Sequence, residues 1–565
     1  MTEKILTRVR GFPLSAKRRL ATQQNQQRIH HLAYQIAAHC RSSDQLGKPG
    51  QAPVVFFAAT TRLGGFTLNA AFTLLTSWSL RLSGLPIKHF VCQAGMTHCV
   101  LGTNSNDLTQ PPPCQACIAQ SKRLYEGSDF TWFQYREDSD LAHAIKDLSV
   151  EELSYFEFPA SFLPLSPSPY AVLSTLPLGQ LVLPSVRWAL RRHHLQDDAP
   201  TRSLLREYIL SAYSLAGKFS DFVRATQPSA AVIFNGILYP EATARWVTRQ
   251  LGIRSVAFEV GFQPYSVFFT DGEPTAYPIH IPDDFELTDD KNALLDAQLE
   301  RRFQGKFTMA GIRFWPEMRG LDQSFLERVA QFRQLTPIFT NVVYDSSQVH
   351  ANTLFSNMFD WLDLLLVIIQ RHPETLFVVR AHPDEKRPVS NKISNESVHD
   401  WIYRQKVNEL PNVVFIEPDE FISSYELIQR SKFVLVYNSS IGLEASLMGM
   451  AVVCGGKARY TQVPTVFLPE SPSDLERLVE KFLQAEQIEI PDEFKRNARR
   501  FLYYQFYRVS LPMDEFLQEG EKQGAVYLKP FSWQQLLPEN CITGRIIRDG
   551  ILENKPFILP EDQTT

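Results

Sequence analysis

Short runs of branched and aromatic apolar residues alternate with longer amphipathic runs, and the alternation occurs in both halves of this chain. A continuous apolar run of strand length marks a strand buried on both faces, as parallel sheets require. Residues 53–59 (PVVFFAA) are such a run. A turn at 60–65, a helix-patterned stretch at 67–82 and a second run at 87–91 complete a strand–helix–strand unit. Runs at 230–234 and 255–259, with a helical pattern to Gln250 between them, form another. The second half repeats the scheme, with strands expected at 337–340, 375–380, 413–416, 433–437 and 451–453. Helices are expected at 354–370, 425–430, 444–450, 473–485 and 491–506. The fold class that follows is α/β, with two doubly wound parallel sheets. Ligands of such sheets bind at the carboxyl ends of the strands.

Boundaries follow from breaks in the pattern. Residues 1–50 form a basic leader, 51–320 a first α/β domain, 321–490 a second, and 491–565 C-terminal helices and a tail. Within the first domain, 120–220 carry helical stretches interrupted by prolines at 164–169, and 270–320 are Pro- and Asp-rich with an amphipathic helix at 294–303. In the leader, Lys4, Arg8, Arg10, Lys17, Arg18, Arg19, Arg28, Arg41 and Lys48 face only Glu3 and Asp44. Such a segment reads either as a contact for anionic lipid or an acidic partner, or as a solvated arm. No apolar core follows the first basic residues, as a secretory signal would need, so a cytoplasmic location is expected. The most apolar stretch, 170–190, is broken by Pro177, Gln180 and Pro184 and reads as buried loop and helix, not a membrane span. A net charge of −4 gives no footing for nucleic-acid binding.

In the second half the polar groups fall where strands end. Asn341 and Asp345 follow 337–340, and His382 follows 375–380, with Arg380 two residues earlier. The knot Asn438-Ser439-Ser440 follows 433–437, with Gly442 and Glu444 just inside the next helix. Backbone N–H groups at a helix start, with hydroxyls beside them, suit phosphate oxygens. Ser440 and Glu444 stand four apart, not the three of a capping box. That spacing leaves Glu444 for another task, such as bonding a ribose diol. Pro383 disfavours helix at His382 and holds the imidazole at the sheet edge, where it can stabilise a departing phosphate. On the first half, Arg62, Gly64 and Gly65 follow the first strand, Asn235 with Glu241 another, and Glu259 ends a third. Glu259 is the first choice for a general base, because Gly261 permits close approach; Asp345 is the rival.

Other motifs narrow the chemistry. No G-x-x-x-x-G-K-[ST] loop and no G-x-G-x-x-G after a strand occur, so ATP-dependent and dinucleotide readings lack support. Asp138-Ser139-Asp140 matches D-x-D but does not follow a branched strand, and is expected to cap a helix. Cys92, Cys99, Cys114 and Cys117 form C-x6-C then C-x2-C. In a reducing compartment such a cluster suits a structural tetrahedral zinc, or else buried reduced thiols.

The segments RAHP at 380–383, VYNSSIGLEASLMG at 436–449 and GGKARY at 455–460 together resemble bacterial capsule and surface polysaccharide glycosyltransferases of the GT-B fold. Kdo transferases and the HP- and SS-motif sialyltransferases are the kin. TNVVYD at 340–345 and NGILYPEA at 235–242 look similar. The resemblance implies two facing Rossmann-like domains, a nucleotide-sugar donor on the second and a glycan acceptor on the first. His382 and Ser439-Ser440 would meet the donor phosphate and nucleotide, and Glu444 the ribose. Asn341, Arg380, Asn438, Gly442 and Lys457 complete the donor side. The HP and SS pair favours a CMP-sugar, with an NDP-sugar as the alternative donor. In the sialyltransferase kin the base is an aspartate of the first half; this chain offers Glu259. No cofactor is expected for catalysis. Alternatives are a nucleotide-sugar epimerase of the same architecture, or a non-catalytic partner in polysaccharide assembly at the inner membrane face.

Overall fold

The computed structural model describes residues 2–42, 51–59, 66–163, 175–303, 318–386, 393–521 and 524–563. Two sheets organise it. The first has seven strands and the second five. In chain order the first contains β1 (Val54–Ala58), β2 (Ile87–Cys92), β3 (Asp129–Phe133), β4 (Ala230–Phe234), β5 (Arg254–Val260) and β6 (Ser266–Thr270). The second contains β7 (Gln334–Phe339), β8 (Thr375–Arg380), β9 (Val413–Ile416), β10 (Val434–Val436) and β11 (Val452–Cys454). The short strand β12 (Leu511–Pro512) then returns to the first sheet and pairs with β6.

The strand orders explain where a site can form. The first sheet runs β12-β6-β5-β4-β1-β2-β3, and the second β9-β8-β7-β10-β11. Their parallel parts share one scheme: the first three strands wind one way from the centre, and the next two wind the other way. The crevice where winding reverses lies between β1 and β4 in one sheet and between β7 and β10 in the other. Such switch points are where open α/β sheets bind ligands. Register aligns the strand ends of the second sheet: Arg380 pairs with both Phe339 and Ile416, and Val436 with both Phe339 and Cys454. Residues just beyond these partners share one edge.

Alternation along β1 shows why the apolar runs contain no polar position. Val54, Phe56 and Ala58 join one core cluster, and Val55 and Phe57 the cluster on the other face. Each fully buried Val or Phe contributes roughly 1.5–3 kcal/mol of burial free energy. The expected α/β class, with two doubly wound sheets, is borne out; each expected strand is found within three residues of its bounds, whereas β3, β6 and β12 of the first sheet were not expected. Pro184 sits inside the helix Leu178–Leu190, as the buried-helix reading of that stretch requires. Among the described residues no helix is long and apolar enough to cross a membrane.

The two ends of the chain differ from expectation. Thr2–Ser42 is one helix, not a loose leader. Ile29, Leu32, Ala33, Ile36 and Cys40 form a stripe at helical spacing that enters the core of the first half. Asn25 accepts from the amide of Leu528 at 2.8 Å, and Arg28 donates to its carbonyl at 2.7 Å, tying the helix to the strand Val526–Leu528. Leu511, Leu517, Ile547 and Leu559 enter the same core, so the segment from Leu511 onward closes the first half.

The halves touch through the loops beyond their strands. Thr275 Oγ1 lies 2.9 Å from His350 Nε2, and Gln462 accepts from the amide of Ile279 at 2.7 Å. Farther along the seam, Glu396 accepts from the amides of His193 and His194 at 2.8 and 2.9 Å.

Candidate active site at the facing switch points

At the switch point of the second sheet, β7 and β10 deliver Asn341 and Asn438. Asn341 Nδ2 donates to Asn438 Oδ1 at 2.7 Å, and buried Gln348 donates to the same oxygen at 3.2 Å. Asn341 Oδ1 accepts from the amide of Val342 at 2.9 Å, which fixes its amide plane. The knot is held from behind as well, since Tyr460 Oη donates to Ser439 O at 2.8 Å. Ser440 sits in helical geometry at φ −60° and makes no side-chain capping bond. Ser440 thus holds the N-cap position of Ile441–Leu447 without capping through its hydroxyl, and the residue is exposed.

His382 stands on the same edge. Its Nδ1 accepts from the amide of Asp384 at 3.1 Å. A ring nitrogen that accepts carries no proton, so the neutral ring holds its proton on Nε2, which is then a donor. The short helical turn Pro383–Lys386 buries Glu385 behind this loop. Its Oε1 accepts from the amide of Val398 at 3.0 Å, and burial pushes its carboxyl up to about 8. It braces the loop and is not presented to a ligand.

Three donor-side expectations need correction. Glu444 is not open for a diol: Arg302 Nε donates to Oε1 at 2.7 Å, and Tyr425 Oη to Oε2 at 2.6 Å. Both partners are far away in sequence, and the pair lies in the core between helices. Gly442 serves packing, because a Cβ there would stand 2.2 Å from Tyr460 Oη. It lets the helix approach the tyrosine that steadies Ser439. Arg380 is buried and donates to Ile422 O. Burial lowers it to about 10, so it stays charged but is turned into the loop packing. Lys457 remains exposed on the edge, its amide donating to Ala351 O at 2.9 Å.

On the first half, β4 and β5 place Asn235 beside Glu259. Asn235 Nδ2 donates to Glu259 Oε2 at 2.6 Å, and the amide of Val260 to Oε1 at 2.9 Å. Asn235 and Gly236 both adopt left-handed geometry, φ 60° and 79°, which makes the tight turn at the strand end. Glu241 is buried in the helix Tyr239–Gln250 and is not on an acceptor-facing surface. Arg62, Gly64 and Gly65 lie outside the described residues. Asp138 caps the helix Ser139–Ala144 through the amide of Leu141, as expected.

Tyr277 links the two edges. Its hydroxyl donates to Val260 O at 2.6 Å, next to Glu259. Burial raises its pKa, Glu259 and then Asp345 add to the rise, and Arg459 opposes it. One buried phenol thus senses a carboxylate from each half and a cation from the second. Asp345 is exposed, accepts from Ser347 Oγ at 3.0 Å, and lines an inter-half cavity of about 40 Å³ with Arg187, Trp188 and His193. Arg459 and Tyr277 were not singled out as site residues from sequence. The strand-end rule that selected His382 also points to Arg459, five residues beyond β11. Tyr277 carries no such signal.

The four clustered cysteines line one cavity of about 20 Å³, which Met96, Leu101, Pro112 and Ile118 also wall. Among the described residues no group of three or more His, Cys, Asp or Glu is placed to hold a metal ion. Burial pushes the Cys92 and Cys99 thiols up to about 12.

Residues 318–463 match the family model described as capsule polysaccharide biosynthesis protein. That stretch holds β7 to β11, the Asn341–Asn438 pair, His382 and Arg459. The resemblance to capsule polysaccharide biosynthesis proteins that the motifs imply is thereby borne out. Protein FixF of Sinorhizobium fredii (strain NBRC 101917 / NGR234) is 26% identical over 233 residues, 40% of this chain and 48% of that protein. The chain thus spans about half the length of the curated relative it matches. Among solved structures, the Thermosulfurimonas dismutans KpsC beta Kdo 2,4 transferase is 14% identical at a TM-score of 0.34, covering 50% of this chain and 80% of that one. The UDP-GlcNAc 2-epimerase from Neisseria meningitidis bound to UDP-GlcNAc is 12% identical at 0.22, covering 79% and 93%.

Proposed function

We propose that this protein is a glycosyltransferase of capsule or surface polysaccharide synthesis, moving a sugar from a nucleotide-sugar, CMP-linked by first choice, to a glycan acceptor. The observation that carries the reading is that Tyr277, which donates to Val260 O beside Glu259, packs under Arg459 from the half whose strand-end edge carries Asn341, Asn438 and His382. That edge is donor- and acceptor-rich and suits a phosphorylated ligand. Glu259 offers a rigidly held carboxylate.

The residues divide the work by chemistry. Glu259 takes the proton of the acceptor hydroxyl as its oxygen bonds the anomeric carbon. The bond from that carbon to the phosphate oxygen breaks, and its electron pair leaves with the phosphate. His382, through Nε2–H, donates to that oxygen as charge develops, which is when such a bond contributes most. The knot at 438–440 holds the phosphate, and Asp345 from the other half is the alternative base. The proton is moved by side chains of the chain itself, and Asp138 of the D-x-D sequence is engaged in helix capping. Docking at the inner membrane face or in an assembly complex is part of the same proposal.

A thermal-shift screen with CMP, UDP, GDP and TDP tests the reading. A nucleotide that binds the folded state raises the melting temperature by linkage, and CMP is expected to give the largest rise. No rise with any nucleotide would overturn the proposal. Conversion of a nucleotide-sugar without any acceptor would replace transfer by epimerisation.

A further inference from the structure

We infer that Arg459 reads an oxyanion at the sugar–phosphate junction of the donor, either the phosphate itself or a carboxylate carried by the sugar. Its guanidinium carbon lies 4.4 Å from the ring centre of Tyr277 and 5.0 Å from that of Phe262. The two rings are 4.9 Å apart and inclined at 64°, so they form a corner that holds the cation. Ring faces attract the guanidinium without consuming its N–H groups. Among the described residues no carboxylate forms an ion pair with Arg459. A cation restrained in this way is preorganised for a ligand's anionic oxygens, and its planar fork matches phosphate and carboxylate alike.

Its place in the fold selects the ligand. The next residue, Tyr460, bonds Ser439 O in the knot, and Gln462 Nε2 donates to Tyr277 O at 3.0 Å. Tyr277 in turn bonds Val260 O beside Glu259. Arg459 therefore lies on the seam between the phosphate end of the proposed site and the proposed base. A donor spanning those two points passes this residue at the junction of its sugar and phosphate.

The inference rests on the nucleotide-sugar reading above, and its test separates the two. Binding of CMP, UDP, a CMP-linked acidic sugar and a UDP-linked neutral sugar is measured by calorimetry on wild type, Arg459→Gln and Arg459→Lys. Arg459→Gln should weaken binding roughly tenfold to a hundredfold, the range of a lost charge-assisted hydrogen bond. Lys, which keeps the charge but loses the fork, should fall between. A loss shared by free nucleotides assigns the phosphate, and a loss confined to the acidic sugar assigns its carboxylate. Unchanged affinities in folded Arg459→Gln would show a packing cation only and overturn the inference. Should that variant not fold, unchanged affinities in Arg459→Lys would overturn it equally. Failure of wild type to bind any of the four, with no thermal shift from GDP or TDP, sinks the nucleotide-sugar reading and the inference with it.

Discussion

Asn341 and Asn438, 97 residues apart in sequence, join their side-chain amides at 2.7 Å across the point where the second sheet reverses its winding. The bond ties together the two strand ends between which a ligand of this fold binds, and buried Gln348 completes it. Asn438→Ala would leave both donors without their acceptor, at a cost of about 1–3 kcal/mol for the buried one. Asn438→Asp keeps an acceptor for both and should melt close to wild type. It also sets a negative charge beside the proposed phosphate, so nucleotide affinity should fall in both variants. Calorimetry and thermal melting of the pair check this; full affinity in Asn438→Asp would remove the phosphate from this edge.

His382 is predicted to act through Nε2, because Nδ1 already accepts from the amide of Asp384. His382→Ala should lower kcat by roughly a hundredfold to a thousandfold, the scale of losing one preorganised donor. His382→Gln, whose amide reaches about as far as Nε2, should recover part of that. Both should melt within a few degrees of wild type, since the ring is partly exposed. Equal and large losses in kcat for Ala and Gln would argue that the imidazole transfers a proton instead of donating a hydrogen bond. Full activity in His382→Ala would remove it from the mechanism.

Glu444 makes a different prediction from the one its motif position implies. Its side chain is 7% exposed and paired with Arg302 at 2.6 Å. Removing one partner of a buried pair leaves the other uncompensated, at a cost of about 3–5 kcal/mol. Glu444→Ala should therefore melt many degrees lower, while the folded protein keeps its KM for the nucleotide-sugar. Arg302→Met combined with Glu444→Met should recover much of the stability. A raised KM without loss of stability would restore the ribose role.

The strands were legible in sequence because burial on both faces writes itself as an unbroken apolar run, as in residues 375–380. The shared edge was legible for the same reason, since each polar group follows directly on such a run. Glu444 was misread because the residue that engages it lies 142 positions away, and no local spacing announces a partner at that distance. The N-terminal stripe from Ile29 to Cys40 was hidden under the basic residues around it. Tyr277 escaped because its importance comes from what packs on it: a cation from the other half and a carbonyl beside Glu259. The cysteine spacing suggested a metal because C-x2-C permits one; the structure brings all four residues to one small cavity with apolar walls.

Closure of the two halves should depend on pH through His194 and Glu396. His194 Nδ1 lies 2.6 Å from Glu396 Oε1, and Asn395 adds bonds to Leu190 O and Arg191 O at 2.9 Å each. The bond to Glu396 raises the pKa of His194; burial opposes it, Asp360 supports it, and Arg187 opposes it. Burial alone would raise Glu396, but the bonds from His194 and from the amides outweigh it and hold the carboxyl below its ordinary value. A histidine raised on folding contributes fully below its unfolded value of about 6.5, and that contribution is lost as pH rises through the folded pKa. A carboxylate lowered on folding contributes above about 4.3 and loses it as pH falls. The clasp should thus be strongest between those limits and loosen above neutrality. Melting temperature against pH, with an NMR titration of His194, measures it. Glu396→Gln should return His194 toward its ordinary pKa and flatten the profile between pH 6 and 8; an unchanged His194 titration in that variant would show that the carboxylate does not hold the proton there.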